Sequence, residues 1–209
     1  MKRIELIFLG LILILGFSLR LYRFTAPIAD WHSWRQVDTS AVSRNFVQNG
    51  FDLLHPRFDD LSNVQSGIYF NPQGYRFVEF PIYNVLQAGG FLLFDKFTLE
   101  EWGRLVSIFS SLFAASFVFL ILKKRLNTQA GLLGAFFYSV LPFSVFWGRT
   151  VLPDQTTIAT ILAAIYFFDS GLLKGKFFAL FLSGFFLACS LLLKPFAIFF
   201  VAPMFVIAW

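Results

Sequence analysis

The sequence predicts an all-α protein: a bundle of helices that crosses a membrane several times and carries an amphipathic first loop on its outer side. Three observations carry that expectation. The chain is 57% hydrophobic and only 14% charged, with a mean hydropathy of +0.70, whereas soluble domains hold about 25% charged residues. Apolar runs of near-bilayer length recur along it, many of them built from its 31 phenylalanines. The polar residues, finally, are gathered rather than scattered. Between Asp30 and Glu79 lie His32, Arg35, Gln36, Asp38, Arg44, Asp52, His55, Arg57, Asp59, Asp60 and Arg76, in a chain otherwise composed for lipid.

A transmembrane helix needs roughly 20 mostly apolar residues. The first candidate runs from Ile4 to Phe24. It starts on basic residues, but Pro27 spoils the only small-x-small stretch after it, so it reads as an uncleaved anchor. Further spans fit Leu105–Leu122, Ala130–Gly148, Thr156–Leu173 and Phe177–Leu193, and a sixth begins near Pro195. The segment Phe80–Phe94 is shorter, contains Asn84 and Gln87, and runs into Asp95-Lys96.

The basic clusters arbitrate the topology, because short cytoplasmic loops carry an excess of Lys and Arg. If Phe80–Phe94 lies flat at the interface, Lys2-Arg3, Lys123-Lys124-Arg125 and Lys174/Lys176 all fall inside. The N-terminus is then inside, residues 25–103 form a large external loop, and Arg149–Asp154 is also external. Every acidic residue except Glu5 and Asp169 lands on the external side. A net charge of +5 is thereby explained as topology, and no nucleic-acid partner is expected. The lone Cys189 excludes an intrachain disulfide and a cysteine metal site.

Within the first loop, Trp34–Asn49 is predicted helical, with Ser33 as N-cap and Gly50 as the stop. Arg35 stands one turn before Asp38, and Val37, Ala41, Val42, Phe46 and Val47 form a face that can rest on the membrane surface. Ser66-Gly67 and Asn71–Gly74 are turn signals, and the latter suits a hairpin between Ile68–Phe70 and Tyr75–Phe80. His32 and His55 lack metal-ligand spacing. Asp52, Asp59 and Asp60 read as solvated loop charges. Trp31 and Trp34 suit an interfacial aromatic belt. Arg35, Asp38 and Glu79 can be either a structural ion-pair set or part of a site. In the second external loop, Pro153 breaks the backbone and Asp154 opens the next helix, where a carboxylate suits the positive end. Lys194 sits at the external end of the fifth span, placed to snorkel or to hold a phosphate.

These residues resemble a family. His32-Ser-Trp34-Arg35-Gln36-Val-Asp38-Thr39 with Ser43-Arg44-Asn45-Phe46, Glu79-Phe-Pro-Ile-Tyr83, Trp102-Gly-Arg104-Leu and Gly148-Arg149-Thr-Val-Leu-Pro153-Asp154 occur in the order of four blocks of the dolichyl-phosphate-mannose–protein mannosyltransferase-like membrane glycosyltransferases. The resemblance covers about residues 15–200. It implies the C-type glycosyltransferase fold and transfer of a sugar from a polyprenyl-phosphate donor to a protein, lipid or glycan acceptor. Such a site lies outside the cytoplasm, in a bacterial or archaeal plasma membrane. The first-loop acid would be Asp38, with Asp30 as alternate, and the second-loop acid Asp154. A familiar branch carries Asp-Glu in the first loop and a later Lys-Pro-Pro block; this chain has Gln36-Val37-Asp38 and Glu79-Phe80-Pro81 instead.

Inverting sugar transfer needs a carboxylate to take the acceptor hydroxyl proton and cations to stabilise the departing lipid phosphate. Asp38 is the candidate base. Arg35, Arg57, Arg76, Arg149 and Lys194 are candidate phosphate partners, and His32, Gln36 and Glu79 complete the donor side. A divalent metal is optional in this fold class. A transporter or channel half would instead place ionisable residues near the bilayer midplane, where only Asp169 is a candidate; a non-catalytic scaffold is the third reading. The 209 residues are expected to form one module that continues beyond Trp209, and this piece alone is expected to be inactive.

Overall fold

The computed structural model describes residues 2–62 and 70–208, and these are helical, with no strand among them. The helices are α1 (Arg3–Arg20), α2 (Ser33–Asn49), α3 (Ile82–Leu93), α4 (Leu99–Arg125), α5 (Thr128–Val140), α6 (Pro142–Trp147), α7 (Asp154–Lys174), α8 (Phe177–Leu193) and α9 (Ala202–Ala208), with a 3₁₀ segment over Pro195–Val201. Two of them, α4 and the stretch Asp154–Leu173 of α7, are long and apolar enough to cross a membrane. α4 is the central post: α5, α7 and α1 pack along it, and α8 packs on α7. Small residues permit the close approaches, as between TM helices generally. A Cβ at Gly131 of α5 would meet the Phe119 carbonyl of α4 at 2.8 Å, and one at Gly171 of α7 would meet Leu180 of α8 at 2.7 Å.

α4 begins six residues earlier than the hydropathy suggests. Thr98 and Glu101 close a capping box at its start, satisfying orphan N–H groups that the apolar pattern alone does not reveal. The expected single span Ala130–Gly148 is in fact broken at Leu141-Pro142 into α5 and α6. Pro142 has no N–H for the Tyr138 carbonyl, and its ring crowds the preceding turn. Arg20, fully buried at the end of α1, repairs the break. Its guanidinium donates to the Ser139 carbonyl at 2.8 Å and the Tyr138 carbonyl at 3.4 Å, and to the Ser144 hydroxyl at 3.1 Å. A Cβ at Gly148 would stand 2.2 Å from the Arg20 Nε, so glycine there leaves room for the repair.

α2 starts one residue earlier than expected. His32, in the left-handed region at φ 57°, is the N-cap, and Ser33 is the first helical residue without a side-chain cap bond. Gly50 ends the helix at φ 86°, a value L side chains rarely adopt. Val37 apart, the apolar face of α2 does not lie open for a membrane. Ala41, Val42 and Phe46 are buried, and Val42 and Phe46 pack on Ala88 and Val85 of α3 and on Phe58. α3 is 12 residues long, about 18 Å, well short of a bilayer core of about 30 Å.

Charge sorts to the two ends of the bundle. At the end where α1 and α5 begin and α4 and α7 finish, Glu5 pairs with Lys123 and accepts from the Thr128 hydroxyl, while Asp169 pairs with Lys124 and Arg125. These are the two acidic residues that the topology separates from the rest. The opposite end carries α2, α3, the second loop and the end of α8.

Candidate active site

Asn84 and Gln87, one turn apart on α3, fix the position of α2. Asn84 donates to the Thr39 carbonyl at 2.7 Å and to the Ser43 hydroxyl at 3.0 Å. Gln87 accepts from Ser43 at 2.7 Å and donates to Ser40 at 3.2 Å and to the Leu99 carbonyl at 2.9 Å. These four side chains and two backbone carbonyls form one connected network, which specifies one register for the pair. The remaining face of α2, bearing Arg35 and Asp38, is thereby turned toward the segment that precedes α3.

That segment supplies the partners. Asp38 accepts from Arg76 at 2.9 Å, and Arg35 pairs with Glu79. Arg76 also lies over the Phe58 ring. Arg35 and Asp38 are therefore neighbours on one helix, each held by a residue about 40 positions away. Burial pushes the Asp38 carboxyl above its ordinary 3.8; Arg35 pulls it back, and Asp60 and Asp59 add to the upward push. Only the Oδ2 of Asp38 is engaged by Arg76. Thr39, Arg76, Glu79 and Asn84 line a small cleft between α2 and α3.

Tyr75 and Arg76 reach this position by pairing with 56–58. Arg57 and Tyr75 form an antiparallel bridge, with Phe58 N–H on the Gly74 carbonyl and Arg76 N–H on the Pro56 carbonyl, both at 2.8 Å. The Asn71–Gly74 turn is present, with Gly74 at φ 63°. The expected partner strand Ile68–Phe70 and the turn Ser66-Gly67 fall wholly or largely outside the described residues. Arg57 stands apart from the Asp38–Arg76 pair, its guanidinium over the Tyr75 ring.

The second loop is locked to the first through Gln36. This side chain is buried. Its amide donates to Asp30 at 2.8 Å and to the Trp31 carbonyl at 3.1 Å, and its carbonyl accepts from the Val151 N–H at 2.9 Å. Arg149 closes the ring on the other oxygen of Asp30 at 3.2 Å and lies between the Tyr22 and Phe146 rings. Asp30 thus has both oxygens occupied, and Gln36 both ends of its amide. The His32 ring packs between Trp31 and Trp147. Asp154, first residue of α7, pairs with Lys194 at 2.7 Å. Tyr83 of α3, Val151 and Leu193 are buried together behind these loops, and desolvation raises the Tyr83 hydroxyl far above its ordinary range.

An apolar groove of about 300 Å³ runs beside the Arg35–Glu79 pair, walled by Leu53, Leu54, Pro56, Phe77, Leu192 and Pro195, with Glu79 in its lining. The Phe80 N–H donates to the Leu192 carbonyl at 3.0 Å and ties its two walls together. The groove is thus bordered by the residue next to Lys194 on one side and by the partner of Arg35 on the other. Among the described residues no group of three or more His, Cys, Asp or Glu side chains converges. Sequence reasoning missed Arg20, Ser43 and the structural part of Gln36. Asn84 and Gln87, polar positions one helical turn apart in an apolar run, were the available signal.

An all-helical architecture, apolar helices of bilayer length and a polar end built from carboxylate–cation pairs beside an apolar groove define the class: a membrane protein with a charged site at the edge of its bundle. Residues 79–209 match the dolichyl-phosphate-mannose-protein mannosyltransferase family. That is well over half of the 209 residues, and the chain belongs to this family of membrane-integral glycosyltransferases, which draw their sugar from a polyprenyl phosphate. The match contains Glu79–Tyr83, Trp102–Leu105 and Gly148–Asp154, whereas α2 precedes it. No curated protein and no solved structure matches the chain.

Proposed function

We propose that the protein moves a sugar from a polyprenyl-phosphate donor to an acceptor hydroxyl on the outer, extracytoplasmic face of a bacterial or archaeal plasma membrane. The chain forms one multi-pass module for it, with an inside N-terminus. The observation that carries this reading is the placing of three carboxylate–cation pairs, Asp38–Arg76, Glu79–Arg35 and Asp154–Lys194, at the same end of the bundle as the apolar groove. An isoprenoid chain fits such a groove, and its phosphate then reaches the cations at the rim. Glycosyl transfer suits the family; the acceptor and the face of the membrane are the finer part of the proposal.

In this reading Asp38 is the general base. Its free oxygen and partly desolvated carboxyl suit proton abstraction, whereas Asp30 is occupied on both oxygens by Gln36 and Arg149. The acceptor hydroxyl gives its proton to Asp38 as its oxygen bonds to the anomeric carbon. The bond from that carbon to the phosphate oxygen breaks, and the electron pair leaves with the lipid phosphate. Arg35, Arg76 and Lys194 stabilise the added negative charge; the arginines can do so with paired N–H groups, the lysine as a point charge. Glu79 holds Arg35 and Asp154 holds Lys194 in place before the donor arrives. Gln36, Asp30 and Arg149 keep the two loops in register. Whether a divalent ion joins the donor phosphate is decided by titrating metal into chelated protein.

Asp38→Asn in the full-length protein tests the assignment. Transfer from a radiolabelled polyprenyl-phosphate sugar is expected to fall about 10²–10⁴-fold, with membrane insertion and donor binding retained. Near-normal transfer in Asp38→Asn together with a dead Asp30→Asn moves the base to Asp30. Activity in both removes the first-loop carboxylate mechanism.

A further inference from the structure

The strip Asp52–Arg57 has two chemically different sides. Leu53, Leu54 and Pro56 wall the apolar groove, while Asp52, His55 and Arg57 line a second cavity of about 270 Å³, together with Asn45 and Asn49 of α2. One stretch of backbone therefore divides a lipid-like trough from a polar pocket. The polar pocket also has a fixed relation to Asp38. In a helix of 3.6 residues per turn, positions 7 and 11 residues on return to within about 20° of the starting line. Asn45 and Asn49 thus stand in a row with Asp38 on one face of α2, about 10 Å and 16 Å along its axis.

The groups in the pocket are of one kind. Two side-chain amides, a carboxylate, an imidazole and a guanidinium offer donors and acceptors in planar pairs. They are partly committed to each other: Asn45 donates to the Arg57 carbonyl at 3.0 Å, and the His55 backbone N–H donates to Asp52 at 3.1 Å. Asn49 donates to Asn45 at 3.4 Å, and the Asp52–His55 contact is 3.3 Å between exposed side chains. Arg57 has no carboxylate partner among the described residues; its guanidinium lies over Tyr75, whose ring also meets His55. A set of planar donors and acceptors with bonding capacity to spare matches the vicinal hydroxyls of a sugar. It does not match an isoprenoid chain, which the opposite side of the strip already suits. It does not match a phosphate well either, because Asp52 sits in the lining.

We propose that this pocket is the acceptor-side subsite and takes the hydroxyl-rich chain of a glycan, so that the acceptor is a saccharide whose terminal hydroxyl reaches Asp38. This rests on the transferase reading above and deepens it. The strip Asp52–Arg57 then keeps the two substrates apart, donor tail on one side and acceptor chain on the other, and both meet at Asp38 and Arg76. Arg57 belongs to the acceptor rather than to the donor phosphate.

Binding measured without donor tests the subsite apart from the chemistry. The full-length protein in nanodiscs is probed by saturation-transfer NMR with maltotriose, chitotriose and trigalacturonate, and with a serine-rich peptide and inorganic phosphate as rivals. At least one trisaccharide is expected to bind, with Kd raised tenfold or more in Asn49→Ala and in Arg57→Ala and unchanged in Glu5→Gln, at the opposite end of the bundle. Failure of all three trisaccharides, or their equal binding by Asn49→Ala and Arg57→Ala, overturns the proposal. So does a peptide or phosphate signal that those two variants abolish. Hydrolysis of the donor by water, read in parallel, needs Asp38 but not this pocket. Its loss in Asp38→Asn alongside unaltered saccharide binding in the pocket variants sinks the subsite and leaves the transferase reading standing; saccharide binding that Asn49→Ala and Arg57→Ala weaken, together with Asp38-independent hydrolysis, does the reverse.

Discussion

Both ends of the bundle carry carboxylates beside basic residues, yet the two are built for different work. At one end Glu5 and Asp169 are shielded, each surrounded by more than one partner: Lys123 and Thr128 for the first, Lys124 and Arg125 for the second. The Asp169 side chain is only 4% exposed. At the other end Asp38 and Asp154 are 27% and 35% exposed and each has one cation, beside a groove and a pocket. A carboxylate with every lone pair spent can hold helices together but cannot take a proton. One with an oxygen to spare, partly drawn out of water, can. Charge count alone does not separate the two ends; satisfaction and access do.

Changing carboxylate to amide at each end is the sharpest way to break the comparison, and it has the largest expected effect. Asp38→Asn is expected to cost about 10²–10⁴-fold in transfer with little change in thermal unfolding. Asp169→Asn is expected to do the opposite. It leaves Lys124 and Arg125 without their counter-charge and costs about 1–3 kcal/mol of stability, while transfer per folded molecule stays within a few-fold. Detergent-solubilised melting curves beside the transfer assay read both quantities. Equal losses of activity at the two ends would end the distinction.

Arg20→Met probes the same contrast on a buried cation. Arg20 uses its donors on carbonyls released by Pro142, so its loss leaves buried acceptors unmet and costs about 1–3 kcal/mol. The melting temperature is the readout. A wild-type melt would mean that α5 and α6 close the Pro142 break without help.

How much of this was legible depends on the range of the interaction involved. Phe177–Leu193 matches α8 residue for residue, because flanking Lys176 and Lys194-Pro195 punctuate a plain apolar run. Gly50 likewise ends α2 as its composition implies. The break at Pro142 was written in the sequence but hidden by a hydropathy average, which treats proline as one more uncharged residue. The N-cap moved from Ser33 to His32 because a left-handed residue packed between tryptophans sets the entry angle, a tertiary effect. Asp38 and Arg35 could be placed on one helix face from their spacing. Their partners Arg76 and Glu79 lie 38 and 44 residues away, and Gln36 meets Val151 across 115 residues. No local pattern encodes those distances, so candidate residues were readable while the pairing among them was not.

The smallest expected effect bears on the open end alone. Asp59 pairs with Arg44 at the surface, both side chains about half exposed, and such pairs contribute about 0–1 kcal/mol. Asp59→Ala is therefore expected to leave the melt nearly unchanged. Yet Asp59 is one of the groups that raise the Asp38 carboxyl, after burial and against the pull of Arg35. A base must be ionised to act, so a raised carboxyl places the acid limb of kcat/KM above the ordinary aspartate value of 3.8. Removing a nearby negative charge makes ionisation easier, and the limb should move to lower pH. Replacing Arg35 by Gln removes a positive charge, and the limb should move to higher pH, together with a loss of donor affinity. A closed-end control, Glu5→Gln, should leave the limb where it is. Opposite shifts for the two first-loop variants would tie the limb to Asp38. If Asp59→Ala and Arg35→Gln moved it the same way, or Glu5→Gln moved it at all, the group being titrated would be another one, and the open end would lose its base.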